Sequence, residues 1–301
     1  MDGVDLYSQI DKNKRETFLI FLSFIFIFSS FSYLLGYISG GTEVALGYMF
    51  LGIVISFFSS FWSYFFSHKM VLFASGAKPA KGPKFRQVNN IVENLSIVAG
   101  IPKPKVYYID DSAPNAFATG RNPKKAVVVV TTGLLEKLNK VELEGVIAHE
   151  LAHIKNYDIL VASIVAVLVG SIAFVSDMFL RGGFRRSRKS EKGSDNSVLI
   201  VLAIISLILT PIIAKLIQMS LSRNREFLAD ATGAYLTRYP KGLANALIKI
   251  SQDKEILEAS NRATAHLYIV NPLKGNMAKG LAKLFNTHPP VQERVQRLLA
   301  M

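Results

Sequence analysis

Long apolar runs alternate with polar stretches along this chain. Four runs stand out, approximately Thr17–Ile38, Val44–Phe66, Ile159–Leu180 and Val198–Met219. Each approaches or exceeds the ~20 residues that an α-helix needs to cross ~30 Å of hydrocarbon. The first two are separated by a few residues and predict a membrane hairpin; the last two predict a second. The first run exceeds the ~7–15 apolar residues of a cleaved leader and no convincing small-residue cleavage site follows it.

The polar stretches read differently. From Phe85, the positions Phe85, Val88, Ile91, Val92, Leu95 and Val98 follow helical spacing, stopped by Gly100 and Pro102. Val106–Ile109 reads as a strand, Asn115–Ala118 as a short extended segment, and Ala126–Thr131 as a β-branched run after an Asn122-Pro123 turn. Together these give a small sheet. Helical periodicity resumes over Val141–Tyr157 and runs almost into the third apolar run; unbroken to Leu180, such a helix would be about 60 Å long. Gln292–Leu299 predicts a terminal amphipathic helix with Val291, Val295, Leu298 and Leu299 inward. The expected fold is a mainly α integral membrane protein with four transmembrane helices in two hairpins and a polar α+β domain carrying a small β-sheet. Its segments are residues 1–67 (first hairpin), 68–158 (first polar part), 159–219 (second hairpin) and 220–301 (second polar part).

Composition supports the membrane reading: half of the 301 residues are hydrophobic, too many for an ordinary soluble protein of this length. The net charge of +13 has no nucleic-acid motif to serve and much of it flanks the apolar runs, where it suits anionic lipid headgroups. Lys12, Lys14 and Arg15 precede the first run, Ser39–Glu43 lacks Lys and Arg, and Lys69, Lys78, Lys81, Lys84 and Arg86 follow the second. The positive-inside rule therefore puts both flanks in the cytoplasm. Arg181, Arg185, Arg186, Arg188, Lys189 and Lys192, between runs three and four, pull the other way. Either the first hairpin dominates and this loop is translocated, or the second hairpin dips in without crossing; four crossings are the expectation. Both alternatives return the chain to the same face.

The chemistry centres on His149-Glu150-Leu151-Ala152-His153. Histidines four apart share a helix face and can reach one metal ion, while the intervening Glu150 stands beside it as a general base for bound water. Without cysteine, any metal must be held by imidazole and carboxylate. A catalytic zinc site needs a third ligand. In Arg223-Asn224-Arg225-Glu226-Phe227-Leu228-Ala229-Asp230, Glu226 can supply it, and Asp230, one turn on, can accept the second ring N–H of a ligand histidine. Asp158 reads as an interfacial anchor or helix-end partner, Arg225 as the mate of an acidic neighbour, and His68 and His266 as structural.

The two motifs, split by a membrane hairpin, resemble the gluzincin membrane metalloproteases, which include the HtpX-type heat-shock proteases and the CAAX prenyl endopeptidases. Four apolar runs and this length suit the HtpX type. Asn115-Ala116-Phe117-Ala118 and Thr287-His288-Pro289-Pro290 also match segments of that type. The resemblance implies a zinc-dependent endopeptidase, one Zn2+ per chain, whose two polar parts (68–158 and 220–301) form a cytoplasmic zincin-like α+β catalytic domain, acting in stress response on misfolded or damaged membrane proteins and seated in the cytoplasmic membrane with its site facing the cytoplasm. Asn115–Ala118 would be an edge strand for extended polypeptide substrates, and His288 a donor to the reaction oxyanion. A non-proteolytic scaffold or chaperone with a structural metal, and a prenyl-protein protease, are the alternatives. The oligomeric state is left open by the sequence.

Overall fold

The structure is a computed structural model describing residues 6–168, 223–260, 264–270, 272 and 289–301. The remainder of the third apolar run after Leu168, the fourth run, and His288 lie outside the described residues.

The first two runs form one long helical stretch, Leu6–Ala74, broken at Gly40 and Gly41. It gives two helices long and apolar enough to cross a membrane, α1 (Ile10–Ile38) and α2 (Gly40–Ala74). Gly41 has φ +77°, where a side chain would be strained. The hairpin closes through small residues: a Cβ on Gly36 would lie 2.7 Å from the Ala45 Cα, and one on Gly52 would lie 2.5 Å from the Ser32 Oγ. Close backbone approach of this kind is how helices pack where lipid offers no hydrophobic drive. Large apolar side chains such as Phe26 and Phe50 point outward, as a lipid-facing surface requires.

The polar part opens with β1 (Lys78–Pro79) and, after a 3₁₀ turn, α3 (Arg86–Ala99). Val88, Ile91, Val92, Leu95 and Ala99 form its buried stripe, while Val98 is 60% exposed; the apolar face therefore ends on Ala99. Gly100, at φ +70°, caps the helix in the left-handed conformation. Strands β2 (Lys105–Ile109), β3 (Ala116–Thr119) and β4 (Val127–Thr131) complete a mixed sheet in the order β1-β2-β4-β3. β2 pairs parallel with β4, whereas β1/β2 and β3/β4 are antiparallel.

Every residue of β4 is buried, because this central strand is covered on both faces. Val128 and Val130, with Ala116 and Ala118, join the core shared with α3. Val127, Val129 and Phe117 pack instead on Val71 and Leu72 at the end of α2. The sheet thus joins the membrane hairpin to the helical layer.

That layer comprises α4 (Thr132–Lys137), α5 (Lys140–Lys155), α7 (Arg223–Thr237), α8 (Pro240–Gln252) and α9 (Val291–Leu299), with α6 (Asp158–Leu168) leading away from α5. α5 starts on a capping box: Asn139 accepts from the Glu142 N–H at 3.0 Å, and Glu142 accepts from the Asn139 N–H at 2.9 Å. It is buried nearly all round. α5 does not continue unbroken into the third run. At Asn156 and Tyr157, the latter with φ +62°, the chain turns and α6 leaves at 85° to α5. α6 then packs on α1, where Ile20 and Phe24 meet Leu160, Val161, Ile164 and Val165.

Candidate metal centre

α5 presents His149, Glu150 and His153 in the protein interior, and α7 crosses close beside it. The approach depends on Gly233, where a Cβ would come within 3.0 Å of the His149 backbone nitrogen. Glu226, Asp230 and Gly233 lie four and then three residues apart, so one face of α7 brings both carboxylates to the histidines.

His149, His153 and Glu226 each offer one ligand atom within 4.8 Å of the others. The Nε2 atoms are 3.1 Å apart, His153 Nε2 lies 3.5 Å from Glu226 Oε1, and His149 Nε2 lies 3.8 Å from Glu226 Oε2. Tetrahedral bonds of about 2.0–2.2 Å set ligand atoms roughly 3.3–3.6 Å apart, so this spacing and this N₂O donor set suit zinc.

Both imidazoles are gripped from behind. His149 Nδ1 is 3.0 Å from Asp230 Oδ1, the partner expected from the sequence. His153 Nδ1 is 2.9 Å from Asp158 Oδ2, so the 85° turn after α5 returns a second carboxylate to the site. The place of Asp158 at the entry to the third run suggests an interfacial anchor or helix-end partner, and on a continuous helix a residue five positions on would not lie behind His153.

Arg294 was also missed. Only 1% exposed, it donates to both Asp230 oxygens at 2.8 and 2.7 Å and to the Ile269 carbonyl at 3.0 Å. It also lies 3.4 Å from Glu226 Oε2. A signal existed: Arg294 sits three residues after Val291 and four before Leu298, on the buried stripe of α9. On that helix Leu298 is buried and Val291 and Val295 pack on the core, but Leu299 is 54% exposed, contrary to expectation. Arg225 finds its acidic neighbour in Glu16, and buried His266 lies 3.2 Å from the Ala162 carbonyl.

Burial dominates the electrostatics. Burial, with Arg294 nearby, depresses the His149 pKa to about 4 despite Asp230. Burial would also lower His153, but hydrogen bonding to Asp158 and the charge of Glu226 outweigh it and raise its pKa to about 9. Burial pushes Glu150 up to about 7, and its carboxylate accepts from the Ala118 N–H. Asp230 would rise on burial, yet Arg294 holds it below the usual carboxylate range.

The β3 contact locates Glu150 at a sheet edge. Asn115 faces β4, accepting from the Thr131 N–H, so the alternate residues Ala116 and Ala118 turn their main-chain groups outward. That edge already holds a neighbour. The Ile269 N–H donates to the Ala116 carbonyl at 3.0 Å, and Asn115 Nδ2 donates to the Val270 carbonyl at 2.9 Å. Tyr268 anchors this short strap, fully buried with its ring 5.0 Å from that of Phe117.

A membrane hairpin carrying a buried histidine–carboxylate cluster is the architecture of a membrane metalloprotease. Residues 83–301 match the model of Peptidase family M48, and the chain belongs to that family. Its relatives include the "Protease HtpX homolog" of Dictyoglomus thermophilum, 44% identical over all of this chain and 96% of the relative. That of Tropheryma whipplei is 44% identical over 98% of each chain, and that of Streptococcus uberis 38% identical over 98% of this chain and all of its own. Among solved structures, S. mikatae Ste24p matches 97% of this chain and 67% of its own at 16% identity and a TM-score of 0.47, too distant to inform the site.

Proposed function

We propose that the protein is a zinc-dependent endopeptidase that cleaves misfolded or damaged membrane proteins, with its site on the cytoplasmic face of the cytoplasmic membrane. The observation that carries this reading is the convergence of His149, His153 and Glu226, from two separate helices, around one point beside Glu150. These three side chains would hold the zinc. When bound, zinc lowers the pKa of a coordinated water to about 7 and polarises the scissile carbonyl.

The remaining steps fall to the chain. Glu150 removes the proton from the attacking water and delivers it to the leaving amine. In the metal-free site burial raises its carboxyl toward neutrality, the direction that favours taking and returning a proton. Asp230 and Asp158 hold the Nδ1–H groups, so that each Nε2 faces the metal. Substrate enters as an extended strand along Asn115–Ala118, exchanging its main-chain groups for those of Ile269 and Val270. His288 is assigned as donor to the oxyanion.

Glu150→Gln tests the reading. The variant should lose turnover of an unfolded membrane protein while binding one zinc per chain as tightly as wild type; retained cleavage would refute the assignment. Labelling a tag at Ser194 with a membrane-impermeant reagent tests the topology: access from outside supports four crossings, and access from the cytoplasm alone refutes them.

A further inference from the structure

The first membrane helix reaches the metal centre. Asn13, at the start of α1, is 0% exposed. Its Nδ2 donates to the Asn156 carbonyl at 2.8 Å and to Asp158 Oδ1 at 2.8 Å. The other Asp158 oxygen faces His153 Nδ1 at 2.9 Å. One turn of α1 further on, Glu16 pairs with Arg225, the residue before Glu226, and Arg225 Nε lies 3.8 Å from Asp158 Oδ1.

A carboxylate shared in this way has little freedom. With one oxygen fixed by the Asn13 amide, the other is held in the plane and at the distance that the imidazole requires. Asn13 also pins the carbonyl of Asn156, where the chain makes the turn that returns Asp158 to the site. Both contacts come from a residue 140 or more positions away, on the membrane hairpin. We propose that Asn13 is a positioning residue of the metal centre, acting through Asp158 on His153, and that α1 is therefore part of the site rather than an anchor alone. This rests on the metal reading above.

The test uses the full chain in detergent micelles, with Zn2+ affinity measured by chelator competition and the ligand field read from the visible spectrum of the Co2+-substituted protein. Asp158→Asn is expected to weaken zinc binding about 10–100-fold, the usual effect of losing an outer partner of a ligand histidine. Asn13→Ala should weaken it about three- to tenfold and shift the cobalt bands, and Asn13→Gln should recover part of the loss. Thr17→Ala, a change one turn along α1, should stay within twofold of wild type. Adding Asn13→Ala to Asp158→Asn should cause little further loss, because both act on one imidazole. Multiplying losses in the double variant, or an unchanged cobalt spectrum for Asn13→Ala, would overturn the proposal and leave Asn13 a fold residue. Zinc binding that survived His153→Ala at full strength would instead overturn the metal reading, and this inference with it.

Discussion

Replacing Arg294 by methionine gives the sharpest test of how this site is held together. The guanidinium is buried, hydrogen-bonds both oxygens of Asp230, and lies 3.4 Å from Glu226. Methionine fills similar space but takes from the buried Asp230 carboxylate the guanidinium that pairs with both its oxygens, and from Glu226 a cation 3.4 Å away. Breaking a buried pair from one side costs about 3–5 kcal/mol, or roughly 6–20 °C in melting temperature for a domain of this size. Removing both charges should cost less, so Arg294→Met with Asp230→Asn is expected to be more stable than Arg294→Met alone. Zinc should narrow the deficit, since a divalent cation at the histidines replaces part of the missing charge beside Glu226. The assay is thermal unfolding in detergent, with and without zinc, on the four proteins of the cycle. A loss below about 1 kcal/mol for Arg294→Met, or a double variant as unstable as the sum of the singles, would refute this account of Arg294 as the counter-charge.

Three further outcomes are expected. Ile269→Pro removes the N–H that holds the strap on Ala116, and a net hydrogen bond of ~0.5–1.5 kcal/mol corresponds to about a two- to tenfold rise in kcat/KM for unfolded substrates; unchanged or lower turnover would show that the strap does not compete with substrate. Tyr268→Phe deletes a buried hydroxyl that has no hydrogen-bond partner among the described residues, and should raise stability by about 1 kcal/mol in chemical denaturation; a loss of stability would point to a hydrogen bond there. The metal-free protein should also lose stability in acid through Asp230. Its folded pKa is depressed, so its contribution is complete above the unfolded value of about 3.9 and disappears as pH falls below it toward the folded value. Asp230→Asn should flatten that part of the unfolding profile, and an identical acid slope in both proteins would count against the depressed pKa.

The elements legible in the sequence were those with a strong period or local punctuation. The α3 face, the β-branched centre of β4 and the paired spacings His149/His153 and Glu226/Asp230 were readable because helix and strand geometry alone fixes which side chains meet. The 85° turn between α5 and α6 was not, since helical spacing runs up to Tyr157 and the apolar run resumes at Ile159, with neither Gly nor Pro between them, and its pivot is a tyrosine, a residue rarely found at positive φ. Missing that turn meant missing Asp158. Arg294 was overlooked because a charge on an amphipathic helix ordinarily faces water, and only tertiary contact with Asp230 reverses that. The parallel pairing of β2 with β4 and the strap on β3 are long-range arrangements without a local periodic signature.

The occupied edge of β3 bears on what such an enzyme ignores. A helix already inserted in the bilayer has its main-chain donors and acceptors satisfied and has nothing to trade for those of Ile269 and Val270. A polypeptide that has lost its structure carries both, unmet, along its whole length. On the proposed function, discrimination would then need no consensus around the cut bond: only chains that have come undone could displace the strap from β3, and intact neighbours in the same membrane would be spared by their own hydrogen bonds.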